Sequence, residues 1–271
     1  MTKTKKPKAE LNTQEAFLLN HKKHKKRIFI LRCIILHSFL GIWEFSSRTG
    51  LIDSFFFASP SLVVKCCIDM ALDGTLFTNI GITLAETLIS FFLVIAIGIG
   101  IATILWYWKS ASEVMEPYLV ILNSLPKSAL APLFIVWLGT GMKTIIVAGI
   151  SVAVFGCIIS IYTSFMQVDP EEMKLIYTLG GQKSDVFSKV VFPSSIPTIL
   201  STMKVNIGLA LVGVIIGEFL AARRGLGYLI IYGSQVFQLN MVITSIIILC
   251  IIAILLYQGI RQLEKYYEKR I

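Results

Sequence analysis

The sequence predicts an all-α membrane protein, a polytopic bundle of about six transmembrane helices with a helical loop on its cytoplasmic face. Hydrophobic residues make up 55% of the 271 residues and charged residues only 15%, against about 25% in a typical soluble chain. The mean hydropathy is +0.77, and the apolar residues lie in long runs. This composition excludes intrinsic disorder and disulfide-rich scaffolds, and the length leaves no room for a separate soluble enzyme domain.

Six apolar runs are long enough to cross the hydrocarbon core, which needs about 20 residues at 1.5 Å each. They predict spans at about Ile28–Phe45, Ile80–Trp108, Pro117–Leu138, Lys143–Phe165, Ile196–Leu220 and Leu239–Ile260. The chain then divides into a basic tail at residues 1–27, a membrane domain at 28–260 with a loop at 167–193, and a C-terminal tail at 261–271. Small residues in the second and fifth spans predict close helix packing there: Gly98, Gly100, Gly208, Gly213 and Gly217.

Lysine and arginine set the expected orientation, since cytoplasmic segments carry an excess of both. Basic residues cluster before the first span and after the last: Lys3, Lys5, Lys6, Lys8, Lys22, Lys23, Lys25, Lys26, Arg27, Arg261, Lys265, Lys269 and Arg270. Both termini are therefore expected in the cytoplasm, together with the loop at 167–193, although Arg223 and Arg224 run against this pattern. Arg32 and His37 interrupt the first run and no A-x-A site follows, so we expect the tail to be kept rather than removed as a signal peptide.

The net charge of +9 is interpreted as a topology signal, or as an attraction to anionic lipid, rather than as a nucleic-acid footprint. No cysteine or histidine spacing typical of a zinc site occurs in the sequence. We therefore expect membrane lipid as a partner of this chain, and neither nucleic acid nor a metal.

The loop at 167–193 predicts two short amphipathic helices joined at a corner. Asp169 followed by Pro170 is a typical helix start, with a capping oxygen and then proline at the first helical position. Glu171 and Glu172 fall in the first turn, where carboxylates suit the positive end of the helix dipole. The apolar residues of this helix recur at i, i+3 and i+4: Met173, Ile176 and Tyr177.

Gly180 and Gly181 are expected to end the first helix. A second helix is expected to follow, capped by Ser184 and stopped by Pro193 before the fifth span. Its apolar positions are Val186, Phe187, Val190 and Val191. The two helices would form a compact protrusion, and on these residues alone an ordinary pair of surface helices fits as well.

The spacing within this loop resembles the EAA motif of the membrane subunits of binding-protein-dependent ABC importers. That motif is read as Glu-Ala-Ala, three residues, Gly, nine residues, Ile, one residue, Leu-Pro. Here Gly180 is followed by nine residues and then by Val190-Val191-Phe192-Pro193, so the glycine, the aliphatic position and the proline fall in register. The leading triad differs, because Lys174-Leu175-Ile176 stands in its place, and the polar contact of the family's leading Glu is not carried over.

A second region is similar to the third-span signature of the nitrate/sulfonate/taurine-type permeases within that family. It comprises Leu125-Pro126-Lys127-Ser128-Ala129-Leu130-Ala131-Pro132-Leu133 and Trp137-Leu138-Gly139-Thr140-Gly141. Further short segments resemble those of the same group and occur in the same order along the chain: Trp43-Glu44, Ser59-Pro60-Ser61, Glu218 and Gly225-Leu226-Gly227. The second span departs from the group, with Glu86 and Ser90 where Arg and Gly are more usual.

The resemblance implies a permease in the bacterial inner membrane that works with a second permease copy, two ATPase subunits and an extracytoplasmic substrate-binding protein. The sequence has no GxxxxGK[ST] phosphate loop, so ATP is expected to bind the partner ATPase and no cofactor is expected in this chain. The loop would couple the two subunits through an apolar stripe seated in a groove of the ATPase. The coupling residues implied are Glu171, Glu172, Met173, Lys174, Ile176, Tyr177, Gly180, Gly181, Val190 and Pro193.

Three residues are candidates for the translocation path. Pro126 and Pro132 disfavour a straight helix in the third span, and broken backbone at membrane depth is tolerated where it lines a cavity. A packing kink explains these prolines equally well. Glu218, five residues before Arg223, is expected either in a structural ion pair or at an outer gate.

The implied function is ATP-driven import of a small solute, anionic like nitrate, sulfonates or taurine, by alternating access. One alternative is a six-span intramembrane enzyme that uses Glu86, Glu218 and Lys204 as an acid/base set, although GxSxG and HExxH signatures are absent. The other is an ion-coupled secondary transporter, which would call for polar residues at the bilayer midplane and two-half symmetry.

Overall fold

The computed structural model describes residues 13–51 and 58–268, and every regular element in these ranges is helical. The chain divides into two compact units, residues 1–62 and residues 63–271. In the first unit, α1 (Thr13–Arg48) contains the predicted first span and extends it at both ends, and its part His24–Arg48 is apolar enough to cross a membrane. The first twelve residues of the basic tail lie outside the described residues.

Glu44 ties the end of α1 to the start of the next helix, α2 (Pro60–Leu72). The Ser61 N–H donates to Glu44 Oε2 at 3.1 Å, and the Ser61 hydroxyl donates to Oε1 at 2.9 Å. Arg48 Nε donates to the same Oε1 at 2.6 Å. The first N–H groups of a helix have no partner within it. The Glu44 carboxylate supplies an acceptor for one of them at the N-terminus of α2.

Every regular element of the second unit is helical within its described residues, and its shorter helices lie between long ones. It continues with α3 (Thr75–Tyr107), α4 (Lys109–Ser124), α5 (Lys127–Leu138), α6 (Met142–Met166), α7 (Pro170–Thr178) and α8 (Lys183–Val186). A π-helical turn, Phe187–Val191, leads into α9 (Phe192–Ala221), which is followed by α10 (Leu226–Gln235) and α11 (Leu239–Glu268). Among the described residues, five helical segments are long and apolar enough to cross a membrane, or six if the bent pair α4 and α5 counts as one span.

The third predicted span, Pro117–Leu138, is broken, as the prolines within it predict. It consists of α4 and α5, which are bent by 95° relative to each other at Leu125 and Pro126. Proline has no N–H to extend a helix, and it forces the preceding residue into an extended conformation, as the ψ of 141° at Leu125 shows. Pro132 lies inside α5 without breaking it, so only one of the two prolines interrupts the span.

α6 packs against both α3 and α9 at the centre of the second unit. Small residues make this approach possible: a Cβ on Gly213 would lie 2.8 Å from the Ala148 carbonyl oxygen, and one on Gly217 would lie 2.9 Å from Ile145 Cα. The prediction of close packing is confirmed at Gly98, Gly213 and Gly217, and it is wrong at Gly100 and Gly208, which face open space.

A buried carboxylate closes the end of the bundle opposite the α7–α8 loop. Glu218, near the end of α9, is only 1% exposed. Its Oε2 accepts from the Gly227 N–H at 2.5 Å, and its Oε1 accepts from the Thr83 hydroxyl at 2.6 Å. Glu218 therefore joins α3 and α9 to the first turn of α10. Since Arg223 is exposed and the carboxylate bonds elsewhere, the expected ion pair between the two is wrong.

Two side chains of α3, Thr83 and Asn79, complete the cap of α10. The Leu226 N–H donates to the Thr83 hydroxyl at 2.9 Å, and the Gly225 N–H donates to Asn79 Oδ1 at 2.6 Å. The first-turn N–H groups of α10 thus find acceptors on neighbouring helices rather than in water. We call this set, Asn79, Thr83, Glu86, Glu218 and the α10 N-terminus, the Glu218 cluster.

Glu86 is the remaining member of the cluster, and it is 3% exposed. Its carboxyl group lies beside that of Glu218, and its Oε2 has no hydrogen-bond partner among the described residues. The cluster therefore holds two buried carboxyl groups next to each other.

We expect Gly225→Ala to lower the melting temperature of the purified permease. Gly225 has a φ of +117°, and an added Cβ would lie 2.5 Å from the Glu218 carboxyl group. Displacing that carboxyl would leave buried N–H groups unpaired, at about 1–3 kcal/mol each. Gly100→Ala is the control, since no atom lies within 4 Å of its Cβ position and alanine favours a helix. Equal melting temperatures for the two variants in detergent would contradict this account of the cluster.

Candidate functional site

The first helix of the loop begins as its sequence predicts. The Asp169 side chain accepts a hydrogen bond from the Glu171 N–H at 2.8 Å, and Pro170 is the first residue of α7. Glu171 and Glu172 lie in the first turn and are exposed. Lys174 Nζ, at the position where the related motif begins, lies 2.8 Å from Glu171 Oε1 and forms a surface ion pair.

The corner after α7 depends on its two glycines in different ways. Gly180 has a φ of +83°, a conformation that favours glycine. Its N–H donates to the Tyr177 carbonyl oxygen at 3.0 Å, and the Gly181 N–H donates to that of Ile176 at 2.9 Å, which is the Schellman pattern of a helix end. A Cβ on Gly181 would lie 2.5 Å from Ile176 Cγ2. The prediction that this pair ends the helix is confirmed.

The second helix begins and ends differently from the prediction. The cap is Gln182 rather than Ser184, because the Gln182 N–H donates to Asp185 Oδ2 at 2.9 Å while the Gln182 side chain accepts from the Asp185 N–H. Ser184 lies inside α8.

Pro193 does not stop the helix. The π-helical turn, in which the Phe192 N–H reaches the Phe187 carbonyl oxygen, carries the chain into α9 with Pro193 in its first turn. The π-helical turn changes the hydrogen-bond pattern just before Pro193, at the place where proline cannot supply an N–H, and the helix continues past it. Lys183–Ala221 is consequently one helical segment of 39 residues.

The predicted apolar stripe of α7 divides between two surfaces. Met173 and Ile176 are partly buried and pack against the main hydrophobic core of the unit. Tyr177 is 49% exposed, and it shares the outer surface with Leu175 at 59% and Leu179 at 75%. We call Leu175, Tyr177 and Leu179 the exposed apolar tip.

Phe187 anchors the loop to the bundle through an aromatic cluster. Its ring centroid lies 5.2 Å from that of Trp106 and 5.5 Å from that of Tyr107, both at the end of α3. It also lies 5.5 Å from the ring of Phe165 at the end of α6 and 6.0 Å from that of Phe192 at the start of α9. Offset and edge contacts at these distances are favourable for aromatic rings. One residue of the loop thus contacts three long helices.

Lys183 adds a polar tie at the same place. Its Nζ donates to the Tyr107 carbonyl oxygen at 2.7 Å and lies 5.2 Å from the centre of the Trp106 ring. The carbonyl at the end of α3 is one of those that a helix leaves unpaired, and a cation suits the negative end of its dipole. The start of α8 is therefore fixed to the end of α3.

The other side chains of the second helix lie largely as expected. Val186 and Val191 are fully buried, and Val190 packs against the same core. Pro193 is exposed. The loop therefore brings the predicted coupling residues into one protrusion, with Met173, Ile176 and Val190 facing the bundle and Glu171, Glu172, Lys174, Tyr177 and Gly180 facing outward.

The residues predicted for the translocation path are not brought together. Pro126 and Pro132 lie on exposed positions at the start and middle of α5, whereas Glu218 is buried in the Glu218 cluster. Of the acid/base set considered for an enzyme, Glu86 and Glu218 do meet. Lys204 lies 14 residues from Glu218 on α9, about 21 Å along the helix, and its Nζ pairs with Glu264 Oε1 at 2.7 Å.

Sequence reasoning missed the partners of Phe187 and of Glu218. A Trp-Tyr pair at the end of the second span is typical of a membrane interface, and that signal could have indicated Trp106 and Tyr107. Asn79 and Thr83 carry no comparable signal, since polar residues one turn apart on an apolar helix are compatible with many contacts.

Solved structures with a similar fold are membrane transporters. A chain of the inward-facing MetNI methionine ABC transporter matches with a TM-score of 0.63 at 18% identity, over 71% of this chain and 95% of that chain. A chain of an amino acid ABC transporter with histidines matches with a TM-score of 0.57 at 16% identity, over 76% and 98%. At such identities the likeness shows the fold.

Several curated relatives are permeases, and they are matched over most of their length. The formylaminopyrimidine transport permease protein ThiX of Halalkalibacterium halodurans is 29% identical over 82% of this chain and 88% of its own. The putative aliphatic sulfonates transport permease protein SsuC of Bacillus subtilis is 26% identical over 83% and 82%. The taurine transport system permease protein TauC of Escherichia coli is 24% identical over 92% and 95%.

A family model covers most of the chain as well. The model described as binding-protein-dependent transport system inner membrane component matches residues 70–271, which include the loop, the aromatic cluster and the Glu218 cluster. The chain therefore belongs to this family and is a membrane permease subunit of an ABC importer.

Proposed function

We propose that two copies of this chain form an alternating-access path for a small anionic solute, opened and closed by two separate ATPase subunits that hold the α7–α8 corner. The observation that carries the proposal is the division of the corner into an exposed apolar tip and an inner face packed into the bundle. A rigid element with both surfaces can take a force from outside and pass it to the helices within.

The exposed apolar tip supports a protein partner at the corner. Leu175, Tyr177 and Leu179 project beside the charged residues Glu171 and Lys174, so the surface is apolar with a polar rim. Apolar residues exposed together on a helix end are typical of a surface that docks in a groove of another protein. The sequence carries no phosphate loop, which supports ATP binding by that partner rather than by this chain.

The inner face supports transmission of movement. Phe187 contacts the ends of α3 and α6, and α8 continues through the π-helical turn into α9. A displacement of the corner by about one side-chain radius would have to move α9 or break these contacts, because packed interiors deform little.

The packing of α11 agrees with the expected orientation of the chain in the membrane. Glu264, in the last turns of α11, pairs with Lys204 of α9, and Ile260 packs in the same core as Phe187. The basic last turns of α11, with Arg261 and Lys265, thus lie at the end of the bundle that carries the corner, and the positive-inside rule favours the cytoplasm for both. We infer a multi-pass protein of the bacterial inner membrane with both termini in the cytoplasm.

The relatives indicate the class of solute and the remaining partners. Their names specify aliphatic sulfonates, taurine and formylaminopyrimidine, all small polar molecules, two of them sulfonates. The family description names a binding protein, which we expect to select the solute outside the membrane. A homodimer is favoured for the permease because closed two-fold symmetry is the commonest assembly.

Replacing both corner glycines with valine should uncouple ATP hydrolysis from transport. Valine at Gly180 would be strained at a φ of +83°, and at Gly181 it would collide with Ile176. We expect solute uptake by the reconstituted transporter to fall by about tenfold or more, a barrier change of about 1.4 kcal/mol, while hydrolysis continues. Gly100→Val is the control. Unchanged uptake at normal membrane levels would contradict the coupling role.

Placing aspartate at Leu175 and Leu179 should weaken the association of the ATPase subunits. Burying each leucine in a groove is worth about 1.5–3 kcal/mol, so each change should raise Kd by about tenfold or more. Co-purification and titration of the ATPase measure the effect. Leu72→Asp is the matched control, since this leucine is 82% exposed and lies outside the loop. Equal binding by all variants would refute the docking surface.

Phe187→Leu should lower the solute moved per ATP hydrolysed while ATPase binding is retained. The change keeps an apolar residue in the core but removes four ring contacts, each worth about 0.5–1.5 kcal/mol. Phe77→Leu is the control, because that ring is 66% exposed on α3. Measuring uptake and hydrolysis in the same proteoliposomes gives the ratio, and an unchanged ratio would mean that the aromatic cluster does not transmit movement.

A further inference from the structure

A groove between α6 and α9 stands out because it is polar within two apolar helices. Its lining residues are Gly156, Ser160, Thr198, Ser201, Thr202, Val205, Asn206 and Leu209. The lining on α9 covers eleven residue steps, about 16 Å of a helix, and it lies between the corner and the Glu218 cluster.

The groove between α6 and α9 has a volume of about 230 Å³, or about 520 Å³ when the open space at its mouth is included. The smaller volume, about 230 Å³, suits a solute of a few heavy atoms.

Hydroxyl groups make up most of the polar surface of the groove. Ser160, Thr198 and Ser201 are exposed, and Thr202 is partly exposed. Polar side chains on membrane helices face the bundle interior or a water-filled cavity, because lipid offers them no hydrogen bonds. This face of α6 and α9 is therefore better suited to an aqueous path than to lipid.

Asn206 lies at the base of the groove and is 3% exposed. Its Nδ2 donates to the Thr202 carbonyl oxygen at 2.9 Å. Its Oδ1 has no hydrogen-bond partner among the described residues, although buried polar atoms are nearly always paired. An unpaired buried acceptor below a row of hydroxyls calls for a donor that enters the groove.

Within the part of the chain that the structure describes, no charged side chain lines the groove. Lys204, the nearest cation along α9, is held away by Glu264, with Nζ 2.7 and 2.8 Å from the two carboxylate oxygens. A site on a transport path must bind its solute weakly enough to release it. Neutral donors and one acceptor meet that requirement better than a fixed charge.

We propose that this groove is a solute-contact site on the path, selective for small molecules that carry both an oxyanion and an N–H donor. The hydroxyls of Ser160, Thr198, Ser201 and Thr202 donate to the oxyanion, and Asn206 Oδ1 accepts from the N–H group. The inference rests on the proposed function, which it deepens by naming the contacts and the solute class.

Thiol labelling tests the aqueous character of the groove without requiring transport. In the complete transporter, with Cys33, Cys66, Cys67, Cys157 and Cys250 replaced by alanine, Ser201→Cys and Phe92→Cys are compared. The probe is the sulfonate-bearing reagent 2-sulfonatoethyl methanethiosulfonate. We expect Ser201→Cys to react at least tenfold faster than Phe92→Cys, which replaces a ring 63% exposed on α3. Equal rates would overturn the proposal while leaving the coupling role of the corner untouched.

Uptake measurements test the assigned contacts. Taurine carries a sulfonate and an amine, whereas ethanesulfonate lacks the amine. We expect Asn206→Leu to raise the KM for taurine at least tenfold and that for ethanesulfonate much less, with an unchanged melting temperature. Thr103→Val is the control, since that hydroxyl bonds to the Ile99 carbonyl oxygen within α3. Equal effects on both solutes, or a lowered melting temperature, would overturn the role of Asn206. If the wild type takes up neither solute, the solute class in the proposed function fails, and the labelling result alone decides on the groove.

Discussion

The helical continuity of Lys183–Ala221 is the constraint on which the rest of the structure depends. This segment of 39 residues begins in the α7–α8 corner and ends beside the first turn of α10. The π-helical turn lets it pass Pro193 without a break, so the corner and the far end of the bundle belong to one element. Any movement of the corner is therefore a movement of α9, and the groove with Asn206 lies on the same helix between the two ends.

The two ends of α9 are held by different kinds of interaction. At the corner, Phe187 is held by several apolar ring contacts rather than by a buried hydrogen bond. At the far end, Glu218 is fixed by directional hydrogen bonds to Gly227 and Thr83 in a site closed to water. A buried polar network loses much of its stability when one member is displaced. The far end thus suits a fixed pivot, and the corner suits a moving contact.

The sequence was informative where local chemistry decides the structure. The Asp169 cap, the glycine pair and the buried valines of the second loop helix follow from short-range rules, and each is confirmed. Short-range rules did not predict the cap at Gln182 or the continuation of the helix past Pro193, because both depend on the direction in which the chain leaves the corner. The bend at Pro126 could be anticipated as a disruption, but its angle of 95° could not. The pairing of Glu86 with Glu218 joins positions 132 residues apart, and no local pattern encodes such a contact.

The most direct measurement of the central claim is a structure of the assembled transporter with and without bound ATP. The account predicts that Leu175, Tyr177 and Leu179 lie in a groove of the ATPase subunit, and that the start of α9 shifts between the two states. A corner that touches only water or lipid, or that lies on the opposite side of the membrane from the ATPase, would contradict it.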